Sequence, residues 1–386
     1  MKLKVFFDRS YLPKAIQSQP MLYPFWGTIA DNKQGSLCPW TQNFTRNEKI
    51  GGSCFEIVSL EKADLAVLPF SWLIIRGNSW RKLKRNNVAK DLALQFAEKA
   101  KKAGKQVVVF FPGDCSDEEI PIKHAIVFRE SLYRSTKKHT DFALSGFNED
   151  FIEHYLGGHL TVRQKPAKPT VSFCGYANKP PLIEAILKNI LYQGVMLAVN
   201  RRIGVPAYKG HSLRFQALDS LSRSALVDTN FVVRQKNQAF LSLKLKATKM
   251  KQLRLEFLQN IIASDYVLCC RGAGNFSYRL YEALCCGRIP VFIDTDCVLP
   301  YDFIVDWKKY FVWVDRSEIP LIAKKVAEFH NSLSPQEFID LQHECRNLWK
   351  KWLSAEGFFA NFHHHFKKVY CREDELIVEA KAKLLA

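Results

Sequence analysis

Short apolar runs alternate with longer amphipathic ones along the chain. Leu3 to Phe7, Leu65 to Pro69 and Gln106 to Phe111 read as buried strands bounded by polar or turn-forming residues. Ahead of the third, Ala89, Leu92, Ala93, Phe96, Ala97 and Ala100 recur at three- and four-residue spacing. That spacing predicts a helix over Val88 to Lys102 whose one apolar stripe covers a sheet. Lys101, Lys102 and Gly104 supply its basic last turn and its stop. Strand and helix in alternation predict an α/β layer. Pro112-Gly-Asp114 follows the third strand, and ligands of open parallel sheets bind beyond the carboxyl ends of strands, so Asp114 lies where chemistry is expected.

The alternation breaks at Arg163-Gln-Lys-Pro-Ala-Lys-Pro-Thr170, where two prolines disfavour both a helix and a central strand. It restarts with a strand at Val171 to Cys174, a loop at Gly175 to Pro181 and a helix at Leu182 to Tyr192. Further strands are predicted at Met196 to Val199, Phe231 to Arg234, Tyr266 to Cys270, Ile289 to Ile293 and Tyr310 to Val314. Helices at Ile319 to His330 and Pro335 to Trp352 and a helical tail at Phe358 to Ala386 follow. The predicted organisation is an α/β domain over residues 1–165, a second over 166–350 and a helical tail over 351–386, which suits 386 residues at about 100–200 per domain.

Composition narrows the class. With 47% hydrophobic and 24% charged residues the chain has globular usage throughout. Its apolar runs fall far short of the ~20 residues of a membrane-spanning helix, and Met1 to Asp8 reads as a first strand rather than a secretory leader. Eleven cysteines, with adjacent pairs Cys269-Cys270 and Cys285-Cys286, form no disulfide framework and predict a reducing, cytoplasmic setting. The four paired cysteines read as small buried residues rather than a thiolate cage, because neighbours in a strand face opposite sides. The net charge of +18 calls for an anionic partner: a nucleotide-sugar, a nucleic acid or, peripherally, an anionic membrane surface. Zinc-finger, RRM and KH patterns are lacking, so nucleic acid is not expected. The basic runs Arg81 to Arg85 and Lys244 to Lys251 read as solvated helix faces. His363-His364-His365 lacks the i, i+4 geometry of helical metal ligands, and no metal site is predicted.

Chemistry concentrates between Ser264 and Gly287, in Ser-Asp-Tyr-Val-Leu-Cys-Cys-Arg-Gly-Ala-Gly-Asn-Phe-Ser-Tyr-Arg-Leu-Tyr-Glu-Ala-Leu-Cys-Cys-Gly. A β-rich run, a loop with Gly272 and Gly274, and a helical run follow in order. Glycines there let the backbone approach a ligand, and a helix N-terminus offers N–H groups to phosphate. Ser277 or Asn275 is placed to cap the helix. Arg279 and Glu282, three residues apart, share one helical face, a cation for a diphosphate beside a carboxylate for ribose hydroxyls. An ordinary βαβ unit would also use Gly272-x-Gly274, so the glycines alone do not decide between the two.

The longer string resembles the signature of the exostosin glycosyltransferases: Gly272, Ser277, Arg279, Glu282-Ala283, Gly287, Pro290-Val291, Leu299-Pro300 and Asp306-Trp307 stand in the family's order. Upstream, Ala63-Asp64-Leu-Ala-Val-Leu-Pro69-Phe70 is similar to the family's N-terminal signal, and Cys270-Arg271 departs from its usual Pro and small residue. The resemblance implies a GT-B architecture, two Rossmann-like domains facing across a cleft, the first on the acceptor side and the second holding the nucleotide-sugar. It implies an inverting transferase using mostly UDP-sugars and a glycan or lipid-linked acceptor. By the same carry-over Glu282 holds the ribose, Arg279 and Arg271 the diphosphate or the loop shape, and the amides after Gly272 the phosphates.

Inversion needs a base on the acceptor side. Asp114 is the leading candidate, ahead of Asp31, Asp117 and His124, and its competing role is a turn or cap aspartate before Ser116-Asp-Glu-Glu119. Metal-independent transfer is expected, Asp294-Thr-Asp296 being the one Asp-x-Asp after a strand. Trp26, Trp40, Trp72 and Trp80 read as core, with stacking on an acceptor glycan as the alternative for one or two of them. A GDP-sugar enzyme of the fucosyltransferase kind and a non-catalytic sugar-binding module remain the other readings.

Overall fold

The computed structural model of the protein describes residues 2–14, 20–26, 47–77, 86–177, 187, 190, 210–234 and 247–369. Asp31, Trp40, Trp80, the run Arg81 to Arg85, most of the predicted helix 182–192, the predicted strand 196–199, the basic run up to residue 246 and the tail beyond 369 lie outside the described residues.

The chain divides into two compact units, one of Met1–Leu132, Thr136–Leu144 and Ala355–Ala386, the other of Tyr133–Ser135 and Ser145–Ser354. In the first unit β1 (Leu3–Phe6), β2 (Phe55–Ile57), β3 (Leu65–Val67), β4 (Val107–Phe111), β5 (Ile126–Arg129) and β6 (Asp141–Ala143) form a sheet in the order β2-β1-β3-β4-β5-β6. All its pairings are parallel. Helix α1 (Asn87–Lys102) starts where the Asn86 side chain accepts from the Ala89 amide, and it buries Ala89, Ala93, Phe96, Ala97 and Ala100, the stripe its spacing predicts. Trp72 is buried in the same core, as expected.

β5 and β6 escape a reading by apolar runs because each carries a buried charge. Arg129 and Asp141 pair at 2.8 Å with both side chains 2% exposed, and Arg129 Nη1 also donates to the Ser116 and Glu118 carbonyls. Full pairing is what makes burial of such charges tolerable.

Two predicted boundaries move. The proline-bearing segment expected to end the first domain at residue 165 lies inside the second unit, where Arg163 Nε donates to Asp265 at 2.6 Å and Gln342 exchanges hydrogen bonds with the Arg163 backbone. The tail expected as a separate element over 351–386 joins the first unit from Ala355 onward. Its aromatic rings provide the reason: Phe362 stacks on Phe128 at 4.9 Å and on Phe110 at 6.1 Å, and Phe359 meets Phe25 at 5.8 Å.

The histidine triplet 363–365 lies on that tail. His365 is fully buried between Phe128 and Phe142, with Nδ1 donating to the Phe362 carbonyl. Burial, reinforced by the charges of His364, Lys137 and His363, pushes its pKa down to about 3. The unfolded imidazole takes its proton near ~6.5, so stability from this site is full above that value and declines as the pH falls toward the folded value, by up to ~1.4 kcal/mol per pH unit. Denaturant unfolding at about pH 7.5 and about pH 5.5 should show a larger loss for the wild type than for His365→Leu; equal losses would remove His365 as the cause.

In the second unit β7 (Thr170–Tyr176), β8 (Asp228–Arg234), β9 (Tyr266–Cys269), β10 (Ile289–Asp294) and β11 (Val312–Asp315) form a parallel sheet in the order β11-β10-β9-β7-β8. It is flanked by α2 (Gly210–Ser222), α3 (Ala247–Ile262), α4 (Tyr278–Cys285), α5 (Ile322–Ser332) and α6 (Pro335–Leu348). The helix expected from Ile319 begins as a 3-10 turn, Arg316–Leu321, because Pro320 cannot donate within an α-helix, and α5 proper starts at Ile322. α6 opens on Pro335 with a reciprocal Ser334–Glu337 cap. Each unit is thus a parallel sheet wound in both directions, Rossmann-like, with its direction reversing between β1 and β3 in the first and between β7 and β9 in the second. At such reversals loops diverge and leave a crevice beyond the carboxyl ends of the strands.

Candidate functional site

Three guanidinium groups gather where β7 and β9 diverge. Arg214 on α2 donates to the Tyr176 carbonyl at 3.3 Å and the Cys270 carbonyl at 3.4 Å. Arg279 on α4 donates to the Cys174 carbonyl at 2.7 Å and lies 4.4 Å over the Phe173 ring. Arg271 donates to the Ala273 carbonyl at 2.9 Å and to Asn275 Oδ1 at 3.3 Å, and it lies 5.6 Å over the Tyr133 ring. Among the described residues none of the three has a carboxylate partner, and the Nε of each is buried without an acceptor. Burial first, and the charge of Arg279 next, pull the Arg214 pKa down to about 10. Cations held together by carbonyls and rings alone favour an anion that supplies the missing charge.

Two glycines make this approach possible. A Cβ at Gly210 would stand 2.2 Å from the Arg271 carbonyl oxygen, and one at Gly175 would stand 2.7 Å from Arg279 Nη2. The predicted Gly272 is less constrained, since its Cβ would meet Arg214 Nη2 at 3.7 Å, an ordinary contact. Gly274 is buried in the same loop, which Gly272 closes by donating to the Phe276 carbonyl.

The expected helix cap is corrected. Ser277 has the extended backbone of an N-cap, but its hydroxyl makes no cap hydrogen bond. Asn275 turns away, its Oδ1 accepting from Thr295 at 2.7 Å and its Nδ2 donating to the Asp296 carbonyl, so it ties the loop to the end of β10. With neither side chain capping, the start of α4 keeps its affinity for an outside acceptor.

Arg279 and Glu282 do not bond to each other. Glu282, 8% exposed, accepts from Arg254 Nη1 at 2.8 Å, and Arg254 Nε reaches Glu149 at 2.7 Å. Burial opposes the charge on Arg254, yet Glu282 and then Glu149 outweigh it and raise its pKa above the usual value. Tyr155 donates to both oxygens of Glu149 at 3.1 Å, and the Arg254 guanidinium lies 4.1 Å over Phe151. Glu282 therefore enters the site from a fixed frame.

Asp114 belongs to the first unit, exposed after β4. Gly113 before it has φ +96° and donates its amide to Glu130 at 2.5 Å. Asp117 is buried, and His124 is exposed with φ +61°. Asp294 and Asp296 are engaged by protein partners: Arg134 at 2.9 Å and the Ser135 hydroxyl. Cys269, Cys270, Cys285 and Cys286 are buried free thiols.

Arg214, Gly175, Gly210, Arg254 and Glu149 were not marked by the sequence. Gly175 does end an apolar run, and Gly210 stands four residues before Arg214 at the head of an amphipathic stretch, but no short motif joins either to the loop at Arg271.

The site thus consists of a parallel, doubly wound, Rossmann-like unit with three guanidiniums at its reversal point that have no carboxylate partner among the described residues, and a carboxylate on the following helix. Residues 210–329, which hold most of this site, match the Exostosin GT47 domain. Over that stretch the chain is similar to the exostosin-type glycosyltransferases. Exostosin-1 of Drosophila melanogaster is 30% identical over 98 residues, 25% of this chain and 12% of that protein. The Physcomitrium patens protein named "Probable glucuronosyltransferase 47 A" is 37% identical over 68 residues, 18% of this chain and 15% of its own length. The matched stretch is thus a small part of either relative. Among solved structures, a GtfA/B complex bound to UDP and GlcNAc overlaps 78% of this chain and 56% of its own at 9% identity with a TM-score of 0.27, a likeness too slight to bear on the site.

Proposed function

We propose that the chain moves a sugar from a nucleotide-sugar, a UDP-sugar first of all, to a hydroxyl of a glycan or lipid-linked acceptor with inversion at the anomeric carbon. The observation that carries this reading is the trio Arg214, Arg271 and Arg279, carboxylate-free at the β7–β9 reversal and beside Glu282. A diphosphate matches the trio in charge, and its departure as a leaving group is where such cations act most. Glu282 has one oxygen fixed by Arg254, and in this reading the other accepts from the ribose hydroxyls.

Calorimetric titration of UDP into wild type and Glu282→Gln tests the assignment. Weakening charge-assisted bonds of ~1.5–3 kcal/mol should lower UDP affinity by roughly 10–100-fold. Some loss of melting temperature will accompany it, because Arg254 loses half its carboxylate support; a melting defect with unchanged UDP affinity would sink the ribose role. Tighter binding of GDP than of UDP in the same titration would move the donor to the GDP-sugars.

Transfer is proposed to need no metal, the arginines and the start of α4 neutralising the leaving diphosphate. Activity undiminished in EDTA is the expected result, and strict Mn²⁺ dependence would return Asp294 and Asp296 to consideration.

A further inference from the structure

A second concavity opens in the same unit at the carboxyl ends of β10 and β11, a cavity of about 660 Å³, inside the roughly 300–1,000 Å³ range of small-molecule sites. Its chemistry is opposite to that of the arginine trio. Asp294, Asp302, Asp306 and Asp315 line it against two cations, Arg134 and Lys308, leaving a net negative lining in a chain of net charge +18. Trp307, Trp313 and Phe303 supply the rest of its character.

Carboxylates only accept hydrogen bonds, so the occupant must bring donors. Phosphate, sulfate and uronic-acid carboxylates bring none and are repelled. A small organic cation would compete with cations already in place at two of the four aspartates and at one ring: Arg134 holds Asp294 at 2.9 Å, Lys309 lies 3.9 Å from Asp306, and Lys308 sits 5.5 Å over the Trp313 ring. Hydroxyl groups remain, carried on a frame with apolar C–H faces that aromatic rings can cover. The geometry points to an uncharged saccharide as the occupant of this cavity.

The cavity wall is joined to the arginine loop, since Cys297 Sγ donates to the Asn275 carbonyl at 3.1 Å. A sugar unit bound here lies beside the proposed donor site, which fits an acceptor glycan whose nearest unit is neutral. That use rests on the transferase reading; saccharide binding itself does not.

The test uses the full chain without donor, titrated with cellobiose, lactose, glucuronic acid and spermidine, followed by ligand-observed NMR and tryptophan fluorescence, with UDP titrated separately. A neutral disaccharide should bind, glucuronic acid should not, and Trp313→Ala and Asp302→Asn should each weaken the disaccharide by about fivefold or more while leaving UDP affinity within about twofold. Asp302 is exposed, so its variant is not compromised by folding. Glucuronic acid or spermidine binding as tightly as the disaccharides, or disaccharide binding indifferent to both variants, would overturn the proposal. If UDP binds and no saccharide does, the cavity assignment falls and the donor site stands; if the saccharide binds and UDP does not, the transferase reading falls and the cavity stands.

Discussion

Arg254→Met is expected to destabilise the second unit by ~3–5 kcal/mol, the cost of leaving buried carboxylates without their cation. Arg254 serves two at once, Glu282 at 2.8 Å and Glu149 at 2.7 Å, whose side chains are 10% and 6% exposed. Methionine leaves an apolar side chain beside Phe151 and removes the guanidinium with its charge and its hydrogen bonds to both carboxylates, so lost packing is the smaller part of the deficit. Glu149 retains the Tyr155 hydroxyl, which makes Glu282 the more exposed to the loss. With the cation gone, two buried carboxylates are left without their charge partner, and protonation relieves that cost. The deficit should be greatest near neutral pH and shrink as the pH falls toward ~4.3, the ordinary glutamate value. Arg254→Lys should recover part of it only, because one ammonium cannot reproduce the fork that spans both carboxylates. Urea unfolding of the three proteins at two pH values is the measurement. A deficit below ~1 kcal/mol would mean that solvent already screens the pair.

This network explains why the site was legible in outline and not in detail. Residues on the short stretch from Arg271 to Glu282 could be assembled from spacing alone, because one strand, one loop and one helix fix their neighbourhood. The partners arrive from far along the chain: Glu149 stands 105 residues from Arg254, and Cys174, whose carbonyl takes Arg279, also stands 105 residues away from it. No local pattern encodes such meetings. The same division holds for the fold. β4, β9 and β10 are near-continuous apolar runs, buried throughout, and they lie within a residue of their predicted ends. β2 buries one residue of three, and β5 and β6 hide an ion pair, so periodicity passes them over. The proline segment near residue 165 has the composition of a linker, but Asp265 and Gln342 anchor it within a unit, and composition carries no record of that anchorage.

Asp114→Asn should lower turnover by ~10²-fold or more and leave donor affinity nearly unchanged, since a general base acts in the transition state and not in nucleotide binding. Its placement suits the proposed role: it follows the carboxyl end of a fully buried strand, and the preceding Gly113 adopts φ +96°, which a side chain would strain. Glu130 fixes that turn by accepting the Gly113 amide at 2.5 Å, so the aspartate stands on a held backbone. A turn aspartate would behave differently, because its replacement lowers the melting temperature while turnover per folded molecule persists. Measuring turnover, UDP affinity and melting together separates the cases. Loss of UDP affinity or of melting temperature without a turnover defect reassigns Asp114 to structure. Near-normal values of all three move the base to Asp117, His124 or Asp31, and Glu130→Gln joins that series as the buried carboxylate beside the same turn. The pH profile adds a readout that no structural role reproduces: the acidic limb of turnover should be lost in Asp114→Asn if this carboxylate is the group that must be ionised.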